Sequence, residues 1–303
     1  MNKKIIHVKD LSKRYGEIIA VDDISFDVRK GEIFGLLGPN GAGKTTTLEC
    51  LEGLRQPDSG NLSVAGVDPT REAHKLRYLI GVQLQTSGLP EGISPMEAMK
   101  FFCSYQGITP RYDLLDRLGL ADKHHTPYLA LSTGQKRRLA LALSVAHNPA
   151  VLFLDEPTAG LDVASRNDLH NLMRELQADG TTILLATHDM AEAEIMADRV
   201  AILLQGQIAA IGTPLEITAT GSGLTKISIC TEEHSLSQPA VSIPAIHNKV
   251  VKNEYTVYYS TDIAPSVSAI IAYIQQQGDT LIDLRVERPS LEDRFLEITH
   301  TGV

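Results

Sequence analysis

IFGLLGPNGAGKTTTLECL, running from Ile33 to Leu51, decides how the rest of the chain is read. Its apolar start reads as a strand, its middle as a glycine-rich loop, and its end as a helix. The loop fits G-x-x-x-x-G-K-[ST] at every fixed position: Gly38, Gly43, Lys44 and Thr45. Each residue type has a physical task. The glycines let backbone N–H groups turn inward and close on phosphate oxygens. The helix that opens at Lys44 offers its positive end to the same anion. Lys44 reaches toward terminal phosphates, and the Thr45 hydroxyl suits Mg²⁺. Pro39, Asn40, Gly41, Ala42 and Thr46 complete the cradle. The loop alone says that a nucleoside triphosphate binds; what the energy does must come from elsewhere in the chain.

A chain of 303 residues is long enough for one large domain and something smaller. Its hydrophobic share of 43% supports a real core. A net charge of −9 without a Lys/Arg block argues against a nucleic-acid surface, so no nucleic-acid partner is expected. Cys50, Cys103 and Cys230 are scattered, with no C-x-x-C pair, and read as idle thiols in a reducing compartment. MNKKIIHVKD lacks the apolar core of a signal peptide. No apolar run approaches the roughly 18 residues that would suggest a bilayer span. The expectation is a soluble chain, with any membrane part supplied by other chains.

Strands are expected at Ile5–Val8, Asp22–Val28 and Ile33–Leu37, with Tyr15 in the polar loop between the first two. After the helix come strands at Leu62–Val64 and Ile80–Gln85. From Ser94 the pattern turns helical, with Met96, Met99 and Cys103 on one packing face. Helices at Tyr112–Leu118 and Leu131–His147 follow, so residues from about 88 to 148 read as an inserted helical subdomain. Val151–Leu154 (VLFL) and Thr182–Thr187 (TILLAT) are continuous apolar runs, as fully buried parallel strands are, and Ala164–Leu176 is amphipathic. Val200–Leu204 and Gln207–Ile211 flank Gln205-Gly206 and read as a hairpin. Strand–helix alternation means an α/β fold with a parallel sheet, of the P-loop NTPase type. Past residue 215 the character changes. A linker-like TATGSG leads into a smaller α+β domain, 216–303. It has strands at Lys226–Cys230, Lys249–Ser260 and Thr280–Val286, and helices at Val267–Gln277 and Ser290–Ile298.

Asp155-Glu156 follows VLFL directly. Carboxylates at the end of a buried strand complement a phosphate loop: Asp155 is placed to hold Mg²⁺ and Glu156 to polarise an attacking water.

With these two halves in view, Leu131-Ser132-Thr133-Gly134-Gln135 resembles the signature sequence of the ATP-binding cassette (ABC) ATPases. An ordered set of that family's motifs accompanies it. Tyr15 stands where the family has its base-stacking aromatic, and GPNGAGKT is similar to its Walker A. Gln85 matches the Q-loop glutamine, VLFLDE the Walker B, Ala159–Asp162 the D-loop, and His188 the switch histidine. The resemblance covers about residues 5 to 215. Thr133 departs from it, standing where the usual signature has a second glycine. A C-terminal PSLEDRFL, from Pro289 to Leu296, resembles the ending of cassette subunits in bacterial exporters of drugs, antibiotics and lipids.

The resemblance implies the following. ATP and Mg²⁺ are the cofactors. Glu156 and His188 are catalytic; Tyr15, the Gly38–Thr46 loop and Gln85 bind nucleotide, and Thr45, Gln85 and Asp155 hold the metal. Ser132, Gly134, Gln135 and Asp162 serve a second copy of the chain, so ATP is sandwiched in a head-to-tail dimer. A separate integral-membrane permease carries the cargo. The chain sits in the cytoplasm, against the inner face of the membrane. The C-terminal domain supplies extra dimer contacts or, alternatively, regulation. Two other readings compete. A soluble cassette ATPase acting on nucleic acid or ribosomes usually carries a coiled-coil insertion or two cassettes. A P-loop kinase leaves LSTGQ, the D-loop and His188 without explanation.

Overall fold

The computed structural model describes residues 3–83, 88–220, 224–237 and 243–301. In chain order the strands and helices begin with β1 (Lys4–Tyr15), β2 (Ile18–Arg29), β3 (Ile33–Leu37), α1 (Lys44–Leu51), β4 (Ser59–Val64), α2 (Ala73–Leu76) and β5 (Ile80–Gln83). Next come α3 (Pro95–Gln106), α4 (Tyr112–Arg117), α5 (Thr133–Val145), β6 (Val151–Asp155), α6 (Val163–Ala178), β7 (Thr182–Thr187), α7 (Met190–Met196), β8 (Arg199–Leu204), β9 (Gln207–Gly212) and α8 (Pro214–Ala219). The last are β10 (Thr225–Thr231), β11 (Ile246–Lys252), β12 (Tyr255–Ser260), α9 (Ile263–Gln277), β13 (Leu281–Glu287) and α10 (Leu291–Thr301). Two compact units divide the chain, residues 1–214 and 215–303.

In the first unit a six-stranded sheet runs β5-β6-β7-β3-β8-β9, and all its pairs are parallel except β8–β9. β3, β6 and β7 are buried along their whole length. Helices cover both faces of such a sheet, which is why these strands are apolar runs and do not alternate. Leu37 pairs with Thr187, and Asp155 with Ala186, so the carboxyl ends of β3, β7 and β6 stand abreast. An antiparallel sheet, β2-β1-β4, shares a core with the larger one. Phe26 and Phe34 stack there with ring centroids 5.4 Å apart.

Helices α3, α4 and α5 form the block between β5 and β6. Ser94 caps α3 reciprocally with Glu97, and Ser132 caps α5 with Gln135. Met99 and Cys103 are fully buried in this block, whereas Met96 is half-buried and Phe102 is on the surface.

Several local expectations need correction. Tyr15 ends β1 and pairs with Ile18, so the connecting turn is only Gly16-Glu17. β5 is described as far as Gln83; the rest of the expected strand, with Gln85, a nucleotide and metal candidate, lies outside the described residues. α7 was not anticipated; its seven residues are too few for a clear helical period, and its N-cap is Asp189.

In the second unit a four-stranded antiparallel sheet runs β11-β12-β10-β13, with α9 packed on Ile227, Ile229 and Tyr258. The expected single strand Lys249–Ser260 is two strands joined at Asn253-Glu254, where Asn253 has φ +53. Asparagine tolerates that left-handed turn, and an unbroken β-pattern hides it. Tyr258 carries the core on β12; the face of Tyr255, Val257 and Tyr259 is the opposite one. Ser290 and Asp293 exchange hydrogen bonds at the start of α10, as their spacing suggests.

Candidate functional site

The loop after β3 is shaped by its glycines. Gly43 has φ +103, and a Cβ there would lie 2.3 Å from the Ala20 carbonyl oxygen. Gly38 has φ +155, with the Leu203 carbonyl oxygen 2.4 Å from a would-be Cβ. Two backbone segments therefore press on the loop, and only glycine fits at both places. α1 starts at Lys44, so its free N–H groups face the loop.

Lys44 is buried, at 6% exposure. Its Nζ donates to the Gly38 carbonyl at 2.8 Å and to that of Pro39 at 3.2 Å, and lies 3.7 Å from Glu156 Oε1. Burial holds its pKa below the usual lysine value, against the pull of Glu156 and Asp155. Thr45 Oγ1 donates to Asp155 Oδ2 at 2.9 Å. Burial raises the Asp155 pKa; the Thr45 bond opposes this, and neighbouring Glu156 adds to it.

Glu156 stands one residue past β6 at φ +49, a left-handed conformation that costs a non-glycine residue about 1–3 kcal/mol. Its N–H continues the ladder by donating to the Ala186 carbonyl at 2.9 Å. The strained backbone turns the carboxylate toward the crevice. Oε2 meets His188 Nδ1 at 2.8 Å, while Oε1 is buried with no hydrogen-bond partner. His188 follows β7 directly, and its ring is 56% exposed.

A cavity of about 320 Å³ opens here, bordered by Tyr15, Asn40, Gly41, Gly43, Lys44, Thr45, Thr46, Asp155 and Glu156. Ile18, Ile19 and Ala20 also line it. Sequence reasoning missed these three; the signal was an apolar pair set just past a tight turn. Tyr15 is 39% exposed, with Arg55 5.3 Å from its ring centre.

The remaining candidates stand apart from this cavity. Ser132 is exposed at the N-terminus of α5, and its Oγ accepts from the Gln135 N–H at 3.2 Å. The Gln135 side chain is engaged in return, accepting from the Ser132 N–H at 2.9 Å. A Cβ on Gly134 would lie 3.0 Å from Ser165 Oγ. The Asp162 carboxylate caps α6, accepting from the N–H and the hydroxyl of Ser165. The signature turn and the turn before α6 are thus neighbours on the surface.

Three further buried groups escaped the sequence reading. Glu52 is 8% exposed, and burial, reinforced by Asp155 and Glu49, pushes its carboxyl up to about 8. Gln83 is 2% exposed, with neither amide atom hydrogen-bonded. Arg137 is half-buried with its Nη1 making no hydrogen bond, and burial lowers its pKa. Glu52 and Gln83 border a second cavity, of about 450 Å³, between β5 and the helical block.

A phosphate-binding loop, a carboxylate pair and a histidine at three adjacent strand ends are the parts of a nucleotide-hydrolysing P-loop protein. The family described as ABC transporter matches residues 21–159. Curated relatives match nearly end to end. The Nod factor export ATP-binding protein I of Ralstonia nicotianae is 37% identical, covering 97% of this chain and 94% of the relative. The daunorubicin resistance ATP-binding protein DrrA3 of Streptomyces coeruleorubidus is 34% identical, over 97% and 95%. The linearmycin resistance ATP-binding protein LnrL of Bacillus subtilis is 32% identical, over 97% and 98%. Among solved structures, an ATP-binding subunit of an ABC transporter superposes with a TM-score of 0.65 at 30% identity, covering 70% of this chain and 91% of that one.

The chain belongs to the ABC transporter family, and within it to the ATP-binding proteins. It is the ATP-hydrolysing subunit of an ABC-type export system.

Proposed function

We propose that this chain is half of a head-to-tail pair that closes on two ATP molecules and moves a membrane permease as it closes. One observation carries the reading. Ser132 and Gly134 lie on the surface, outside the cavity that holds Lys44, Asp155 and Glu156. The signature of one copy therefore serves the phosphates held by the other.

Within each site the residues divide the work. The loop N–H groups and Lys44 hold the phosphates, and Tyr15 stacks on the base. Glu156 Oε1, buried and without a hydrogen-bond partner, accepts the proton of the attacking water. His188 holds Glu156 in place through its 2.8 Å contact. Asp155 and Thr45, already in contact, are hard oxygen donors that fit Mg²⁺. Among the described residues no group of three or more His, Cys, Asp or Glu could hold a metal alone. That suits an ion taking its other ligands from water and phosphate. When bound, Mg²⁺ neutralises developing phosphate charge.

The permease docks at the cavity between β5 and the helical block. Gln83 pairs with Leu154, next to Asp155, so a segment seated there pushes on the strand end that carries the catalytic carboxylates. Exposed Leu54 and Phe102 and the unpartnered Gln83 amide give it apolar contacts and one polar anchor. Among the described residues no helix is long and apolar enough to cross a membrane. The permease supplies the pathway, and this chain works on the cytoplasmic face. The cargo belongs to the amphiphilic drug-like or lipid-like class suggested by the relatives' names.

The dimer is tested by mixing two crippled chains. Lys44→Ala removes the phosphate lysine but leaves the signature; Ser132→Arg does the reverse. Each alone should be nearly inactive, and a mixture should regain ATPase activity because one composite site is intact. A mixture no more active than its parts refutes the sandwich.

A further inference from the structure

β13 is an edge strand: it pairs with β10 on one side and, among the described residues, with no strand on the other. Edge strands in natural proteins are usually blunted, because their free N–H and C=O groups template further pairing. β13 is seven residues long, and Leu281, Ile282 and Val286 on it are exposed by 40%, 63% and 41%. The opposite edge differs: β11 carries Lys249 and Lys252 and no acidic residue, so it repels a copy of itself.

We propose that β13 pairs antiparallel with β13 of a second copy of this chain, joining two C-terminal units into one continuous eight-stranded sheet. The central five residues of β13, IDLRV from Ile282 to Val286, are complementary to their own reverse. In a two-fold antiparallel pair the axis is perpendicular to the sheet, so residues directly opposite must point to the same face. Side chains alternate, so the axis must pass through a residue. With the axis at Leu284, Asp283 faces the partner's Arg285 and Ile282 faces the partner's Val286, and only the end residues, Leu281 and Glu287, are mismatched. Each contact occurs twice. An axis at Asp283 sets the two Asp283 carboxylates against each other. One at Arg285 opposes the two arginines and sets Asp283 against the partner's Glu287. One at Ile282 places Leu281 opposite the partner's Asp283, and one at Val286 places Leu284 opposite the partner's Arg288. The Leu284 register matches more positions than any other, apolar with apolar and acid with base; moving the axis by one residue keeps an apolar contact but sets like charges across the pair.

The charges are held ready on the strand. Arg285 Nε donates to Asp283 Oδ2 at 2.7 Å, the Tyr255 hydroxyl donates to the same oxygen at 2.7 Å, and Arg285 Nη2 donates to Tyr255 Oη at 3.0 Å. This pairing is separate from the ATP-dependent one and needs no nucleotide.

The test uses full-length chain without nucleotide, in light scattering or sedimentation at tens of micromolar. Wild type should be a dimer. Asp283→Arg and Arg285→Asp should each be monomeric, since each sets like charges across the axis. Mixing the two variants should restore a dimer, because every cross-axis pair is then opposite in sign while each chain's own 283–285 pair stays like-charged. Rescue on mixing therefore excludes a merely local effect of the substitutions. As a second measurement, Ile282→Cys mixed with Val286→Cys should cross-link on oxidation, and neither alone should. A wild-type monomer, dimeric single variants, or no rescue and no cross-link in the mixtures overturns the proposal. The ATP-dependent dimer of Glu156→Gln is read separately, so failure here leaves the sandwich standing.

Discussion

Replacing Glu156 by Gln separates binding from chemistry. The substitution keeps shape and reach, and the left-handed turn at φ +49 costs glutamine about what it costs glutamate. What disappears is the negative, basic carboxylate, whose buried Oε1 makes no hydrogen bond and only a 3.7 Å ion pair with Lys44. A positioned general base contributes roughly 10²–10⁴-fold to rate, or about 3–5 kcal/mol at 1.36 kcal/mol per decade. The turnover number should therefore fall by two to four orders of magnitude. Binding should survive: Lys44 keeps the Gly38 and Pro39 carbonyls that position it, and a negative charge 3.7 Å from its Nζ is gone. With less repulsion between the site and the phosphates, ATP should bind as well or better, and the closed pair should accumulate. Phosphate release, titration with a fluorescent ATP analogue, and light scattering with and without ATP-Mg²⁺ read the three effects. A loss of turnover under tenfold refutes the base assignment. Lost ATP binding refutes the claim that Glu156 acts on water and not on the nucleotide.

Other outcomes follow from the same geometry. Lys44→Ala removes a charge-assisted contact worth about 1.5–3 kcal/mol, so ATP affinity should drop at least tenfold in the same titration; unchanged affinity refutes the phosphate role of the loop. Glu52 has a folded pKa pushed up to about 8 from an ordinary 4.5, chiefly by burial, so the native state holds a proton that the unfolded state releases. Stability should fall as pH rises from about 4.5 to about 8, by roughly 1.4 kcal/mol per unit at most, and level off above. Denaturant melts of Glu52→Gln should lack that decline, and a parallel decline in variant and wild type refutes the assignment.

Some of this was legible along the chain because it is local. Gly38–Thr45 must be a phosphate loop, since only glycines tolerate its backbone and only a lysine and a hydroxyl follow. VLFL and the ILLA of TILLAT read as buried parallel strands because consecutive apolar residues leave neither face suited to solvent. The capping pair Ser290–Asp293 is set by a three-residue spacing that a helix makes adjacent. The missed features were non-local or subtle. Asn253 breaks a strand through one turn that β-propensity masks. Ile18 and Ile19 become cavity wall because β1 and β2 fold over the loop.

The order of motifs along the sequence determined the class of protein and the chemistry it carries. Motif order could not determine which groups touch. Lys44, Glu156 and His188 are separated by 112 and 32 residues, and they meet because β3, β7 and β6 lie side by side with their carboxyl ends in register. The same tertiary arrangement buries Glu52, which then holds its proton, and leaves the Gln83 amide and the half-buried Arg137 Nη1 without hydrogen-bond partners, although a sequence lists all three among ordinary surface residues. It also makes β13 an edge. A strand's alternation says which side chains share a face, but its hydrogen-bonding partners lie elsewhere in the chain, and only the folded sheet decides which strand is left open.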